Sequence, residues 1–144
     1  MSAYDKAVDL LSRREHTQKE LESKLREKGF NDEDIEEAVI TLKNEGYLSD
    51  ERFAEVYIRS RIRKAAEGKS ILIMRLTEKG VPKTLASEMV NTAWEEEEYL
   101  PTLKREWSKL SRKYGDEKAT QKLMQKGFSI SEIRKAKEET SDED

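Results

Sequence analysis

The residues best placed to do chemistry are basic, and they come in two runs. Between Tyr57 and Lys69, the bases Arg59, Arg61, Arg63, Lys64 and Lys69 face the single acid Glu67, a local balance of +4. Between Lys104 and Lys126, eight bases (Lys104, Arg105, Lys109, Arg112, Lys113, Lys118, Lys122, Lys126) stand against Glu106, Asp116 and Glu117, a balance of +5. Acids gather elsewhere, at Asp32–Glu37, Glu95–Glu98 and Asp142–Asp144. Guanidinium groups fork onto carboxylates and phosphates, so zones of this kind attract a polyanion or an acidic protein. At about 100° per residue, Arg52 falls on the same helical stripe as Arg59 and Arg63, with Phe53, Ala54 and Tyr57 pointing away. The candidate partner-binding set is therefore Arg52, Arg59, Arg61, Arg63, Lys64 and Lys69, with Lys104, Arg105, Lys109, Arg112 and Lys113. The plain alternative is a solvated helix surface laced with i,i+4 pairs. Both readings stay open at this level.

Other chemistry is scarce. The 144 residues include no cysteine and one histidine, His16. Disulfides, thiolate metal sites and His-based triads are thereby set aside. There is no Gly-rich phosphate loop, metal-ligand spacing or nucleophile beside a base, so no catalytic residue, metal or cofactor is expected. A non-enzymatic protein follows. His16 stands just before a helix start, where it either packs or serves as a pH switch. Trp94 and Trp107 could stack on bases, but their helical spacing also suits burial. No apolar run nears the roughly 20 residues of a membrane span, and Met1–His16 lacks signal-peptide architecture. A cytoplasmic protein away from membranes is expected.

Composition sets the kind of scaffold. Charged residues are 41% of the chain, yet the net charge is only -3. Leu, Ile, Val and Phe together number 29. That is too little for one deep core, while the low net charge argues against a self-repelling coil. Thin helices with much solvated surface fit better.

The chain repeats itself. Leu25-Arg-Glu-Lys-Gly-Phe30, Leu76-Thr-Glu-Lys-Gly-Val81 and Leu123-Met-Gln-Lys-Gly-Phe128 place glycines 51 and 47 residues apart. Each glycine ends an apolar-periodic segment, where a helix C′ residue takes positive φ. Asn31 then caps a helix, with Phe30 and Ile35 as a hydrophobic staple; Phe128, Ser129 and Ile133 reproduce the spacing. Thr17 with Glu20 and Ser129 with Glu132 read as capping boxes. The spacing predicts helices over Tyr4–Arg14, Thr17–Lys28 and Asp32–Glu45; over Asp50–Ala66, Lys69–Lys79 and Pro82–Trp94; and over Glu96–Tyr114, Asp116–Lys126 and Ile130–Glu138. Ile71–Met74 could be a short strand by composition, but it lies at a helical position of the repeat. The fold class is all-α. Three tandem three-helix repeats (1–46, 47–94, 95–139) would form an elongated array free to curve, followed by an acidic disordered tail, 140–144.

Two stretches carry a resemblance. They are Arg14-Glu-His-Thr-Gln-Lys-Glu-Leu21, which leads into Lys28-Gly29-Phe30, and Gly46-Tyr-Leu-Ser-Asp-Glu-Arg-Phe-Ala54. Together they resemble the RecX family, bacterial modulators of the RecA recombinase. The resemblance runs over most of the chain, strongest from Leu10 to Lys64. It implies three tandem three-helix repeats that bind RecA–DNA filaments along their groove and restrain the recombinase. Where many members have Gly-Pro and then bases, this chain has Gly68-Lys69-Ser70-Ile71-Leu72-Ile73, and Arg75 replaces a usual acid. Read from the residues themselves, Tyr47, Leu48 and Phe53 belong to core or caps, with Ser49 as N-cap. Asp50 caps a helix or pairs with Arg52.

Two functions remain in view. One is a monomeric regulator docking on RecA filaments through its basic faces, with weak contact to single- or double-stranded DNA. The other is a helical DNA-binding protein acting without a recombinase.

Overall fold

The computed structural model describes residues 1–64 and 66–142. Among the described residues there are nine α-helices and no strand: α1 (Ala3–Arg13), α2 (Gln18–Glu27), α3 (Asp32–Asn44), α4 (Asp50–Lys64), α5 (Lys69–Glu78), α6 (Lys83–Glu95), α7 (Leu100–Tyr114), α8 (Asp116–Gln125) and α9 (Ile130–Asp142).

Local chemistry fixes most helix ends. Ser2 with Asp5 and Thr17 with Glu20 form reciprocal capping boxes on α1 and α2. Asn31 Oδ1 accepts the Asp34 N–H at 2.8 Å, and Ser49 Oγ accepts the Arg52 N–H at 3.1 Å. Ser129 and Glu132 cap α9 in the same reciprocal way. Each bond satisfies a donor that the first helical turn leaves orphaned. At Gly29 (φ +93°) the Phe30 N–H reaches the Leu25 carbonyl at 3.2 Å and the Gly29 N–H reaches Arg26 at 3.0 Å. That double closure is the Schellman motif, and Gly46, Gly80 and Gly127 repeat it.

Four expectations shift. Helix α4 ends at Lys64 rather than Ala66, with Ala65 outside the described residues. Helix α7 begins at Leu100, not Glu96, because Pro101 has no N–H and fits only the first turn. The acids before it make a turn in which Glu97 takes φ +56°. Helix α9 runs on through Thr140 and Ser141, whose hydroxyls bond back to the Ala136 and Lys137 carbonyls. The expected tail is therefore helical as far as Asp142, while Glu143 and Asp144 lie outside the described residues. Finally, Tyr47 is exposed, because Leu48, one residue on, takes the inward position.

Packing divides the chain into two compact units, Met1–Val56 with Leu76–Ala86, and Tyr57–Arg75 with the chain from Ser87 onward. Helices α4, α5 and α6 each contribute to both. In the first unit Ala7 and Leu10 of α1, Leu21 and Leu25 of α2, and Ile35, Val39 and Leu42 of α3 form the core. In the second, α7 packs on α8 and α9 and buries Leu103, Trp107 and Leu110 with Leu123, Phe128 and Ile133. Trp94 is buried too, stacked on Tyr99 at 5.0 Å, with its indole N–H donated to Glu132. Neither tryptophan offers a free face for a base.

The same joint occurs once in each unit. Thr17, at the head of α2, donates its hydroxyl to the Lys79 carbonyl at the tail of α5, at 2.6 Å. A Cβ on Gly80 would fall 2.5 Å from Lys19 Cβ. In the second unit the Gly68 N–H, at the head of α5, reaches the Lys126 carbonyl at the tail of α8, at 2.8 Å. Beside Thr17, His16 is fully buried. Its Nδ1 lies 3.0 Å from the Arg14 carbonyl and its Nε2 lies 3.0 Å from Lys24 Nζ. A neutral ring with its proton on Nδ1 serves both partners. Burial pushes the His16 pKa down, the Arg14 carbonyl opposes this, and the Arg14 and Lys24 charges add to it.

Two outcomes follow from this packing. A Cβ on Gly68 would sit 2.1 Å from the Gly127 carbonyl, whereas Gly29 has open space and only its positive φ to protect. Urea melts should show Gly68→Ala costing about 3 kcal/mol by overpacking, against about 1–2 kcal/mol of backbone strain for Gly29→Ala. The second outcome concerns acidification. Because the folded His16 pKa lies below its unfolded value of about 6.5, the unfolded chain binds more protons in between. The contribution of His16 is therefore complete above about pH 6.5 and is lost as pH falls toward the folded value. The melting temperature should drop between pH 7.5 and 5.5 and do so less in His16→Gln. Burial alone would raise the neighbouring Glu20 carboxyl, but the Thr17 N–H and Arg14 outweigh it and hold it low, so Glu20 acts in a more acidic window.

Candidate partner-docking surface

Arg52 and Arg61 are held by carboxylates within the molecule. Arg52 Nε pairs with Glu15 at 2.6 Å, and its other nitrogens donate to the Gly46 and Tyr47 carbonyls at 2.9 and 3.0 Å. One guanidinium thus ties the start of α4 to the end of α3 and to the approach to α2. Asp50 does not pair with Arg52. Its Oδ1 accepts the Gln18 N–H at 2.8 Å, capping α2 from a different helix. Arg61 binds Glu67 and lies 5.9 Å from the centre of the Tyr57 ring, while Arg75 grips the other Glu67 oxygen. Burial by itself would raise the Glu67 carboxyl, yet the two arginine hydrogen bonds prevail and hold it below the ordinary range.

The remaining candidates meet at the end of α4 and along α7. Thr102 Oγ1 donates to the Ile62 carbonyl at 2.7 Å, fastening the first turn of α7 to the last turn of α4. Arg105 then reaches the Arg63 carbonyl at 3.5 Å. Arg59, Arg63, Lys64, Arg105, Lys109, Arg112 and Lys113 are all exposed. Along α7, Arg105, Lys109 and Arg112 recur at i, i+4 and i+7, which is one stripe of a helix. Leu103, Trp107 and Leu110 bury the opposite side. Lys104 leans away to Glu139 at 3.5 Å, and Lys69 opens α5, half-buried. Two runs separated in sequence thus become one basic surface. It can hold an anionic partner by forked and point-charge contacts.

One cluster escaped the sequence reading. Lys113, Lys118 and Lys122 place their ammonium groups 5.2, 5.3 and 4.6 Å from the centre of the Tyr114 ring. The signal was present, since Tyr114, Lys118 and Lys122 are spaced by four. It was hidden by counting charges per run instead of asking which ring they surround. Among the described residues no group of three His, Cys, Asp or Glu side chains is placed to hold a metal, and no helix is long and apolar enough to cross a membrane.

Helices closed by side-chain caps and glycine turns, with no strand among the described residues, define an all-helical class of protein. Within that class, the chain belongs to the RecX family. The family model for the first three-helix domain of RecX matches residues 3–42, and that for the second matches residues 49–90. The regulatory protein RecX of Legionella pneumophila (strain Corby) is 34% identical over 133 residues, covering 92% of this chain and 79% of that one. Its counterpart in Prosthecochloris aestuarii is 32% identical over 142 residues, with 95% and 92% covered. A crystal structure of RecX from Lactobacillus salivarius superposes with a TM-score of 0.88 at 25% identity, covering 96% of this chain and 94% of that one.

The Arg52 clamp gives a direct test of structural against partner roles. Arg52→Ala should cost about 2 kcal/mol, since it removes a charged bond and strands Glu15, part of which is buried. Glu15→Gln should cost less, and the two losses should fall short of adding in the double variant. Denaturant titration of the four proteins measures the coupling.

Proposed function

We propose that this protein docks on the filament formed by a RecA recombinase on DNA and restrains the recombinase without catalysing a reaction. The observation that carries the reading is the joined basic surface of α4 and α7 in a chain of the RecX family. On this reading α1–α3, α4–α6 and α7–α9 act as three tandem three-helix repeats, 1–46, 47–94 and 95–139. The support is the same glycine turn after the second helix of each, at Gly29, Gly80 and Gly127. Successive repeats would meet successive recombinase protomers, so that weak contacts add up by avidity. The protein works as a monomer in the cytoplasm, where filament and DNA are found, and touches the DNA of the filament only weakly.

The mechanism is steric and electrostatic. A cationic surface steers the approach to an acidic one and fixes its register, and it does so less well as salt rises. Arg52 and Arg61 support that surface from within the fold, whereas Arg63, Arg105, Lys109 and Arg112 carry it. Reversing Arg63, Arg105 and Lys109 to Glu should weaken inhibition of RecA-driven strand exchange by about tenfold or more. Helical signal should persist, since exposed substitutions change stability by only about 0.5 kcal/mol each. Inhibition by the parent protein should also fall between 50 and 200 mM salt, a trend the reversed variant would lack. A well-folded triple variant that inhibits normally would exclude this surface.

A further inference from the structure

Three ammonium groups share one aromatic ring at the junction of α7 and α8. Lys113, Lys118 and Lys122 lie 5.2, 5.3 and 4.6 Å from the Tyr114 ring centre, so they are within roughly twice that distance of one another. Among the described residues, no carboxylate forms an ion pair with any of the three. The nearby acid Asp116 is taken by Lys137 at 3.0 Å, and Glu117 is exposed in the same turn. Tyr114 itself is 37% exposed. Its pKa is lowered, first by the Lys113 ammonium beside its hydroxyl, with the Lys122 and Lys118 charges acting in the same direction. A cation on an exposed ring is only weakly held and stays free to turn to an anion. The cluster is thus arranged to receive negative charge from outside.

The chemistry of the groups selects the ligand. All three cations are lysines, point charges that hold a phosphate without demanding a forked geometry, and the aromatic face among them adds a surface for a base. Lys118 and Lys122 stand one helical turn apart, about 5–6 Å between Cβ atoms, a spacing that serves neighbouring phosphates of one strand. When the ammonium groups turn to phosphates they uncover the ring, and a π-face beside a cationic track is the arrangement that binds unpaired bases.

We propose that Tyr114, Lys113, Lys118 and Lys122 form a binding site for the backbone and one base of single-stranded nucleic acid. The site deepens the filament reading by giving the DNA strand its own contact. It is tested without a recombinase, so the two proposals stand or fall separately.

Fluorescence anisotropy with a labelled oligothymidylate, followed across a salt series, reads the site directly. The double variant Lys118→Gln/Lys122→Gln should flatten the slope of log K against log salt by about 1.4, since each lost phosphate contact on a single strand contributes about 0.7. Tyr114→Ala should weaken binding about fivefold or more, and Tyr114→Phe, which keeps the ring, should restore most of it. The control Lys28→Gln/Lys83→Gln removes two exposed charges elsewhere and should leave the slope unchanged. Far-UV spectra confirm that each variant is folded. The proposal is overturned if the parent protein fails to bind the oligomer, if the first pair leaves the slope unchanged, or if the control pair flattens it equally. A duplex of the same length bound as tightly as the single strand also overturns it.

Discussion

Within the first unit, much depends on how the head of α2 is held. Four groups converge there. Thr17 accepts the Glu20 N–H and donates to the Lys79 carbonyl, Asp50 accepts the Gln18 N–H, Glu15 holds Arg52, and His16 bridges the Arg14 carbonyl and Lys24. A helix start exposes N–H groups and a helix end exposes carbonyls. Seating one on the other satisfies both without water, and the hydroxyl of Thr17 can do so because it donates and accepts at once. Close approach is then required, which is why the turn at Gly80 has no room for a side chain. In the second unit the corresponding contact is led by backbone, with the Gly68 N–H on the Lys126 carbonyl and the Ser70 hydroxyl reaching the Gly127 carbonyl at 3.5 Å.

That joint changes the meaning of the residues that carry the family resemblance. Glu15, His16, Thr17, Leu48, Asp50, Arg52 and Phe53 are all used internally, as caps, clamps or core. The recognisable stretch is architecture. Arg75 and Glu67 belong to the same logic. An arginine in place of a usual acid finds its partner in Glu67, which already binds Arg61. A chain with so little apolar mass holds its connections with charged and capped contacts, individually modest but placed where backbone groups would otherwise be orphaned.

The charge that remains after internal pairing is what an outside partner meets. Near-neutral net charge conceals this, because the densest acidic and basic runs occupy different stretches of the chain. The acids of α3 lie in the first unit, while the basic stripe of α7 lies in the second. Exposed pairs add little to stability at ordinary salt. An exposed stripe of bases such as Arg105, Lys109 and Arg112 is instead suited to binding.

Much of the fold was legible from the sequence alone. Caps at Thr17, Asn31, Ser49 and Ser129, and turns at Gly29, Gly80 and Gly127, rest on short-range rules, because a capping hydroxyl or a positive φ concerns residues within one turn. The all-helical class followed from them. Pro101 misled the reading of α7 because its meaning depends on where the helix starts, and the acid run obscured that point. Tyr47 misled it because one residue decides which side chain turns inward. The site was half legible: the basic runs could be counted, but not the pairing within them. Arg52 and Arg61 look like Arg63 in sequence. What distinguishes them is the position of Glu15 and Glu67, 37 residues away in one case and across a helix junction in the other. Sequence determined which helices form, since helix ends are set by neighbours in the chain. Tertiary structure decided which cations face outward, because a salt bridge is set by distance in space.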